Sequence, residues 1–65
     1  MSKYIIKKKY DDQYINYDDY FFQKWITTKN ILLAQTFATK KEAKETIKNN
    51  WLELHLGTEF IILNK

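Results

Sequence analysis

Phe37-Ala38-Thr39-Lys40-Lys41-Glu42-Ala43 decides the fold, because the apolar spacing changes there from strand-like alternation to helical steps. Thr39 followed three residues later by Glu42 makes a capping box: the threonine hydroxyl accepts from the Glu42 amide and the Glu42 carboxylate reaches back to the Thr39 amide. A helix is expected from Lys40. Ala43, Ile47, Trp51 and Leu54 then follow at steps of four, four and three and form one apolar stripe. Lys40, Lys41, Lys44, Glu45 and Lys48 lie away from it. Gly57, the single glycine, stands where a left-handed C-terminal cap is wanted. The spacing therefore predicts one helix over Lys40 to about Leu56. Leu52, Leu54 and Leu56 also alternate with Glu53 and His55 as a strand would, with Gly57-Thr58 turning a hairpin. The helix is preferred because a stop at Asn50 leaves only about three turns and excludes Trp51.

Upstream, Lys3 to Tyr10 alternates as a strand, with Tyr4, Ile6, Lys8 and Tyr10 opposing Ile5, Lys7 and Lys9. Asp11-Asp12-Gln13 makes a turn, since aspartates tolerate left-handed backbone and bond to nearby amides. Tyr14 to Tyr17 reads as a second strand and Asp18-Asp19 as a second turn. Tyr20 to Thr27 is apolar on both faces, which places it inside the sheet. After a third turn at Thr28-Lys29-Asn30, Ile31 to Ala38 reads as a fourth strand. Asn30 capping a single helical turn over Ile31 to Gln35 fits the same residues. Phe60 to Leu63 is the closing strand. The fold class expected is α+β: an antiparallel sheet of four or five strands with one helix packed on one face, in the order β-β-β-(β)-α-β.

With 65 residues, a single domain over 1–65 is expected, burying only about 60% of its unfolded surface. There is no cysteine to form a disulfide or thiolate site, so stability rests on packing of five Tyr, four Phe, two Trp and the aliphatics. No stretch has the pattern of a signal peptide or the roughly 18 apolar residues of a membrane span. The expectation is a soluble cytoplasmic protein with no membrane association. All eleven basic residues are lysine. Low-GC coding favours Lys, Asn, Ile, Tyr and Phe, so the net charge of +3 argues only weakly for a nucleic-acid partner. Arginine, the usual residue for bidentate phosphate and guanine contacts, is absent.

Candidate chemistry is sparse. His55 is the only histidine and Ser2 the only serine, so no nucleophile with its base and orienting acid is available. No enzyme activity is expected, no catalytic residue is assigned, and no cofactor. His55 is read as a polar residue near the helix end, where an imidazolium suits the dipole. The aspartate pairs Asp11-Asp12 and Asp18-Asp19 carry oxygen ligands of the kind divalent cations take, but lack the spacing of a calcium loop. They are read as solvated turns, with no metal.

Two binding surfaces remain. One helix covers one sheet face, yet large apolar residues occur on both, so several of Tyr4, Tyr10, Tyr14, Tyr17, Tyr20, Phe21 and Trp25 are expected outside the core. Tyr4, Tyr10, Tyr14, Tyr17, Tyr20 and Trp25 are the candidate partner-binding residues, since interfaces favour tyrosine and tryptophan. The alternative is a nucleic-acid platform in which Lys3, Lys7, Lys8 and Lys9 follow phosphates while neighbouring rings stack on bases. Those lysines also suit the plainer task of protecting an edge strand.

In its short aromatic strands, its Phe-x-Thr-Lys-x-Glu-Ala junction, one helix and a closing strand, the chain resembles very small proteins of phages and mobile elements of low-GC Gram-positive bacteria. That resemblance implies a stoichiometric inhibitor of a host defence or metabolic protein. The junction alone, about seven residues, is also similar to the arm-type DNA-binding domain of phage integrases, which implies a sheet entering the major groove. The expected function is thus a non-enzymatic protein-binding module, plausible as a phage inhibitor of a host defence protein. Nucleic-acid binding is the alternative, and a homodimer is possible.

Overall fold

The computed structural model describes residues 3–65. Its elements are β1 (Tyr4–Lys8), β2 (Tyr14–Asp18), β3 (Lys24–Thr28), a 3-10 turn (Ile31–Leu33), α1 (Lys40–Asn49), α2 (Leu52–Leu56) and β4 (Phe60–Asn64). The strands form one antiparallel sheet in the order β3-β2-β1-β4. The fold is α+β, with both helices on one face.

Alternation and register decide which side chains meet. Ile6 opposes Ile62 on β4, Ile15 opposes Thr27 and Tyr17 opposes Trp25 on β3. Ile6 and Ile15 are fully enclosed with Ala43 and Leu52, and Trp25, Phe37, Ile47, Leu56, Phe60 and Ile62 pack around them. Ile5 and Ala34 are also buried, outside that cluster. Ile5, one residue from Ile6, points to the opposite sheet face.

β1 and β2 are matched only at Lys7↔Tyr14. Beyond that pair the chain after the 3-10 turn supplies the missing bonds: the Gln35 amide donates to the Ile15 carbonyl at 2.8 Å, and Tyr4 and Phe37 exchange bonds of 2.9 and 2.8 Å. The expected strand over Ile31 to Ala38 is thereby corrected. It reduces to an isolated bridge at Phe37, preceded by a turn whose Leu32 amide donates to the Asn30 side chain at 3.0 Å. Asn30 capping a helical turn, the other reading of those residues, describes what forms, although the turn is 3-10 and ends at Leu33.

Two further expectations are overturned. The strand expected from Tyr20 begins at Lys24 and lies at the sheet edge rather than inside. Its two-faced apolar pattern came from Tyr20, Phe21 and Phe22, which form a turn and leave the sheet. The single helix to Leu56 is broken at Asn50-Trp51, where Trp51 adopts left-handed backbone with φ of 54°. α1 packs over β1 and β4, and the break redirects the chain so that Leu52 reaches the core. A left-handed non-glycine residue costs about 1–2 kcal/mol, and enclosing a leucine returns about 1.5–3 kcal/mol. The bend is favoured. Trp51 and Leu54, expected on the buried stripe, are 64% and 71% exposed.

The cap at Thr39 forms on one side as expected, with the Glu42 amide donating to Thr39 Oγ1 at 3.1 Å. The Glu42 carboxylate accepts instead from the Ala38 amide, at 3.1 Å. Gly57 ends α2 with φ of 65°.

Candidate partner-binding surface

The β2–β3 turn starts from Asp18, the last residue of β2. One of its carboxylate oxygens accepts from the amides of Tyr20 and Phe21 at 3.0 and 3.2 Å, and the other from the Phe22 amide at 3.2 Å. Amide donors favour the charged carboxylate. The Phe21 amide and then the Tyr20 amide lower the Asp18 pKa below the ordinary carboxylate value, opposed in part by desolvation, with the Phe22 amide contributing least. Gln23 closes the turn in left-handed backbone with φ of 50°, and its carbonyl accepts from the Tyr17 hydroxyl at 3.2 Å.

Held this way, three consecutive rings project from the sheet. Tyr20, Phe21 and Phe22 are 81%, 78% and 66% exposed. The Tyr20 and Phe21 rings meet edge-on at 4.7 Å between centroids, and the Lys24 ammonium lies 5.3 Å from the centre of the Phe22 ring. At the root of the loop, Tyr17 and Trp25 make a second edge-on pair at 5.2 Å.

The candidate partner-binding residues do not form one surface. Tyr20 is at the loop tip, Tyr17 and Trp25 are at its root, and Trp25 is half-buried against the core. Tyr4 lies on the helix-covered side beneath Lys40, whose ammonium is 5.9 Å from the ring centre. Tyr14 faces the opposite side of the sheet, half-buried. Tyr10 is exposed in the β1–β2 turn, where its hydroxyl donates to Glu59 at 3.2 Å.

Phe21 was expected outside the core but was not among the expected contact residues, and Phe22 was in neither set, because interfaces favour tyrosine and tryptophan. The aspartate signal reaches further than the turn expected at Asp18-Asp19, since the Asp18 carboxylate carries the turn on through Phe22.

The lysines are dispersed as well. Lys7 and Lys8 point to opposite faces by alternation. Lys7 pairs with Asp12 at 3.7 Å and Lys9 with Glu59 at 3.6 Å, while Lys3 is exposed ahead of β1. The edge-protecting role expected for them is corrected, because β1 runs between β2 and β4. Among the described residues no three His, Asp or Glu side chains converge as metal ligands. His55 is exposed in the last turn of α2, beside a groove lined also by Lys24, Trp25 and Leu56. Among the described residues no helix is long and apolar enough to cross a membrane.

The chain matches no known family model, and no curated protein or solved structure is detectably similar to it.

Proposed function

We propose that this protein is a non-enzymatic binding module that acts by occupying the surface of another protein, with the Tyr20-Phe21-Phe22 loop as its anchor. The observation that carries this reading is the clamp of Asp18 on three successive amides beneath three exposed rings. Rings left in water contribute little to the fold, and a contiguous aromatic patch is what binding surfaces present. A loop already held in one conformation loses less entropy on docking than a free one. Aromatic side chains at the centre of an interface commonly supply most of its affinity.

The narrower role of inhibiting a host defence protein rests on the resemblance to small phage proteins alone. The nucleic-acid alternative through Lys3, Lys7, Lys8 and Lys9 is weaker, since Lys7 and Lys9 are already paired with carboxylates and Lys7 and Lys8 diverge. The experiment is affinity capture from lysate of a Gram-positive host, run with and without nuclease treatment, comparing the native chain with a Phe21→Ser, Phe22→Ser variant. A protein recovered by the native chain and lost with the variant supports the proposal. Recovery of nucleic acid only, or of the same protein by both chains, refutes it.

A further inference from the structure

The far edge of the sheet from the aromatic loop is β4, and among the described residues no strand pairs with its outer side. β4 pairs with β1 at five consecutive positions, from Tyr4↔Asn64 to Lys8↔Phe60. Just beyond both ends, the Lys9 amide donates to the Glu59 carbonyl and the Lys65 amide to the Lys3 carbonyl. Hydrogen-bonded positions alternate along an antiparallel pair, so Glu59, Ile61, Leu63 and Lys65 turn their backbone groups toward β1. Phe60, Ile62 and Asn64 turn theirs outward. Edge strands are normally blunted by a charge, a proline or a bulge. Phe60-Ile61-Ile62-Leu63-Asn64 has no charged residue and no proline, and its unbroken register leaves no bulge.

Charge along this edge comes from the helix above it. Lys40, Lys44 and Lys48 recur at four-residue steps on α1 and, with Ile47, Phe60, Ile61, Ile62 and Glu53, line an open groove beside β4. The ion pairs among the described residues are made by Lys7 and Lys9 and Lys40 lies over the Tyr4 ring, leaving Lys44 and Lys48 as the members of the row that act outward. A strand added here would lie about 4.8 Å from β4, with alternate side chains directed to the lysine row and to the side of Ile61 and Leu63. Acidic residues complement the first set of positions and β-branched residues the second.

A second copy of the chain fits less well. Antiparallel self-pairing about Ile62 would match Glu59 with Lys65, which is favourable, but it would also bring two lysine rows together across the dyad. Like charges facing each other at an interface oppose association. We infer that the β4 edge receives an extended segment of a partner protein in which acidic and β-branched residues alternate, added as a fifth strand beneath Lys40, Lys44 and Lys48. Main-chain bonds supply affinity and the side-chain alternation supplies selectivity in this mode.

The test is fluorescence anisotropy of the full chain with a dye-labelled peptide of alternating glutamate and valine. The peptide is expected to bind, and its lysine–valine counterpart to bind roughly tenfold more weakly or worse. Lys44→Glu, an exposed change checked for folding by circular dichroism, is expected to weaken binding by a similar factor. N-methylating either the glutamate amides or the valine amides blocks one set of backbone donors, and one of the two modified peptides, but not both, is expected to lose binding. Equal binding of the two charge types, or equal response to the two methylation patterns, overturns the inference. So does sedimentation showing a dimer with protected β4 amides, or displacement of the peptide by a single-stranded oligonucleotide at lower concentration.

Discussion

The backbone amide of Tyr20 donates to the Asp18 carboxylate at 3.0 Å, and the next two amides donate to the same side chain. Asp18 does for this loop what an N-cap does for a helix, but no helix follows. Gln23 turns left-handed instead and sends the chain into β3. The rings are therefore displayed by the residue before them, while Tyr17 and Trp25 hold the base together.

Replacing Asp18 by alanine is expected to free the Tyr20, Phe21 and Phe22 amides, seen as faster hydrogen exchange there with β1 and β4 unchanged. Asparagine keeps a carbonyl acceptor and is expected to give a smaller effect. The pH dependence follows from the lowered Asp18 pKa. A depressed carboxylate contributes order that is fully present above its unfolded value and lost as pH falls through the folded value. Loop amide shifts are therefore expected to stay native through the ordinary aspartate range and to titrate below it. Titration at or above the ordinary value would contradict the clamp.

Leu52 and Leu54 are two residues apart with opposite fates, 2% and 71% exposed. Leu52→Ala is expected to cost about 2–5 kcal/mol, close to the whole stability of a domain this size, roughly 3–10 kcal/mol. Leu54→Ala is expected to change stability by no more than about 0.5 kcal/mol. Denaturant melts of both variants check the pair, and comparable losses would restore an unbroken helix.

Trp51→Gly separates the broken helix from the straight one in the opposite direction. With Trp51 left-handed and exposed, glycine removes about 1–2 kcal/mol of backbone strain and adds about 0.5–1 kcal/mol of unfolded-state entropy. The thermal midpoint is expected to hold or rise. A loss above about 2 kcal/mol would mean that the indole is packed.

The contrast between these residues explains what was legible in the sequence. Thr39, Glu42 and Gly57 act through local backbone chemistry, and both helix ends they mark are where spacing put them. β1 was legible from its alternation in sequence, β2 as a short aromatic run between two aspartate turns, and β4 as a short apolar run after Gly57. The break at Trp51 was not, because its counterpart is the entry of Leu52 into the core, which only tertiary packing sets. Tyr20 to Phe22 failed for a related reason: alternation cannot distinguish a strand apolar on both faces from a turn whose rings are left in water. Tyr20 was expected on a strand and stands instead at the tip of the loop. The β4 edge was hidden because strand order, unlike strand existence, is not written in any one segment.

The final prediction sets the lysines against the rings. Phosphate binding through Lys3, Lys7, Lys8 and Lys9 would make affinity fall with salt by a log–log slope of about −0.7 to −0.9 per contact. With Lys7 and Lys8 on opposite faces and the Lys7 side chain largely covered, oligonucleotide affinity is expected to be weak and its slope to reflect at most about two contacts. Replacing Lys7, Lys8 and Lys9 by glutamine, with folding checked by circular dichroism because the Lys7 side chain is only 16% exposed, is expected to leave capture of a protein partner within about threefold, since none of the three lies in the ring-bearing loop. Phe21→Ser with Phe22→Ser is expected to abolish it, as loss of central anchors does. Trp25→Ala is a poorer probe, because Trp25 packs on the core and its loss is expected to destabilise the fold by about 3–5 kcal/mol before any interface is read. A steep salt slope that disappears with the lysine triple variant would transfer the function to nucleic acid, whereas ring dependence with a shallow slope keeps it with a protein partner.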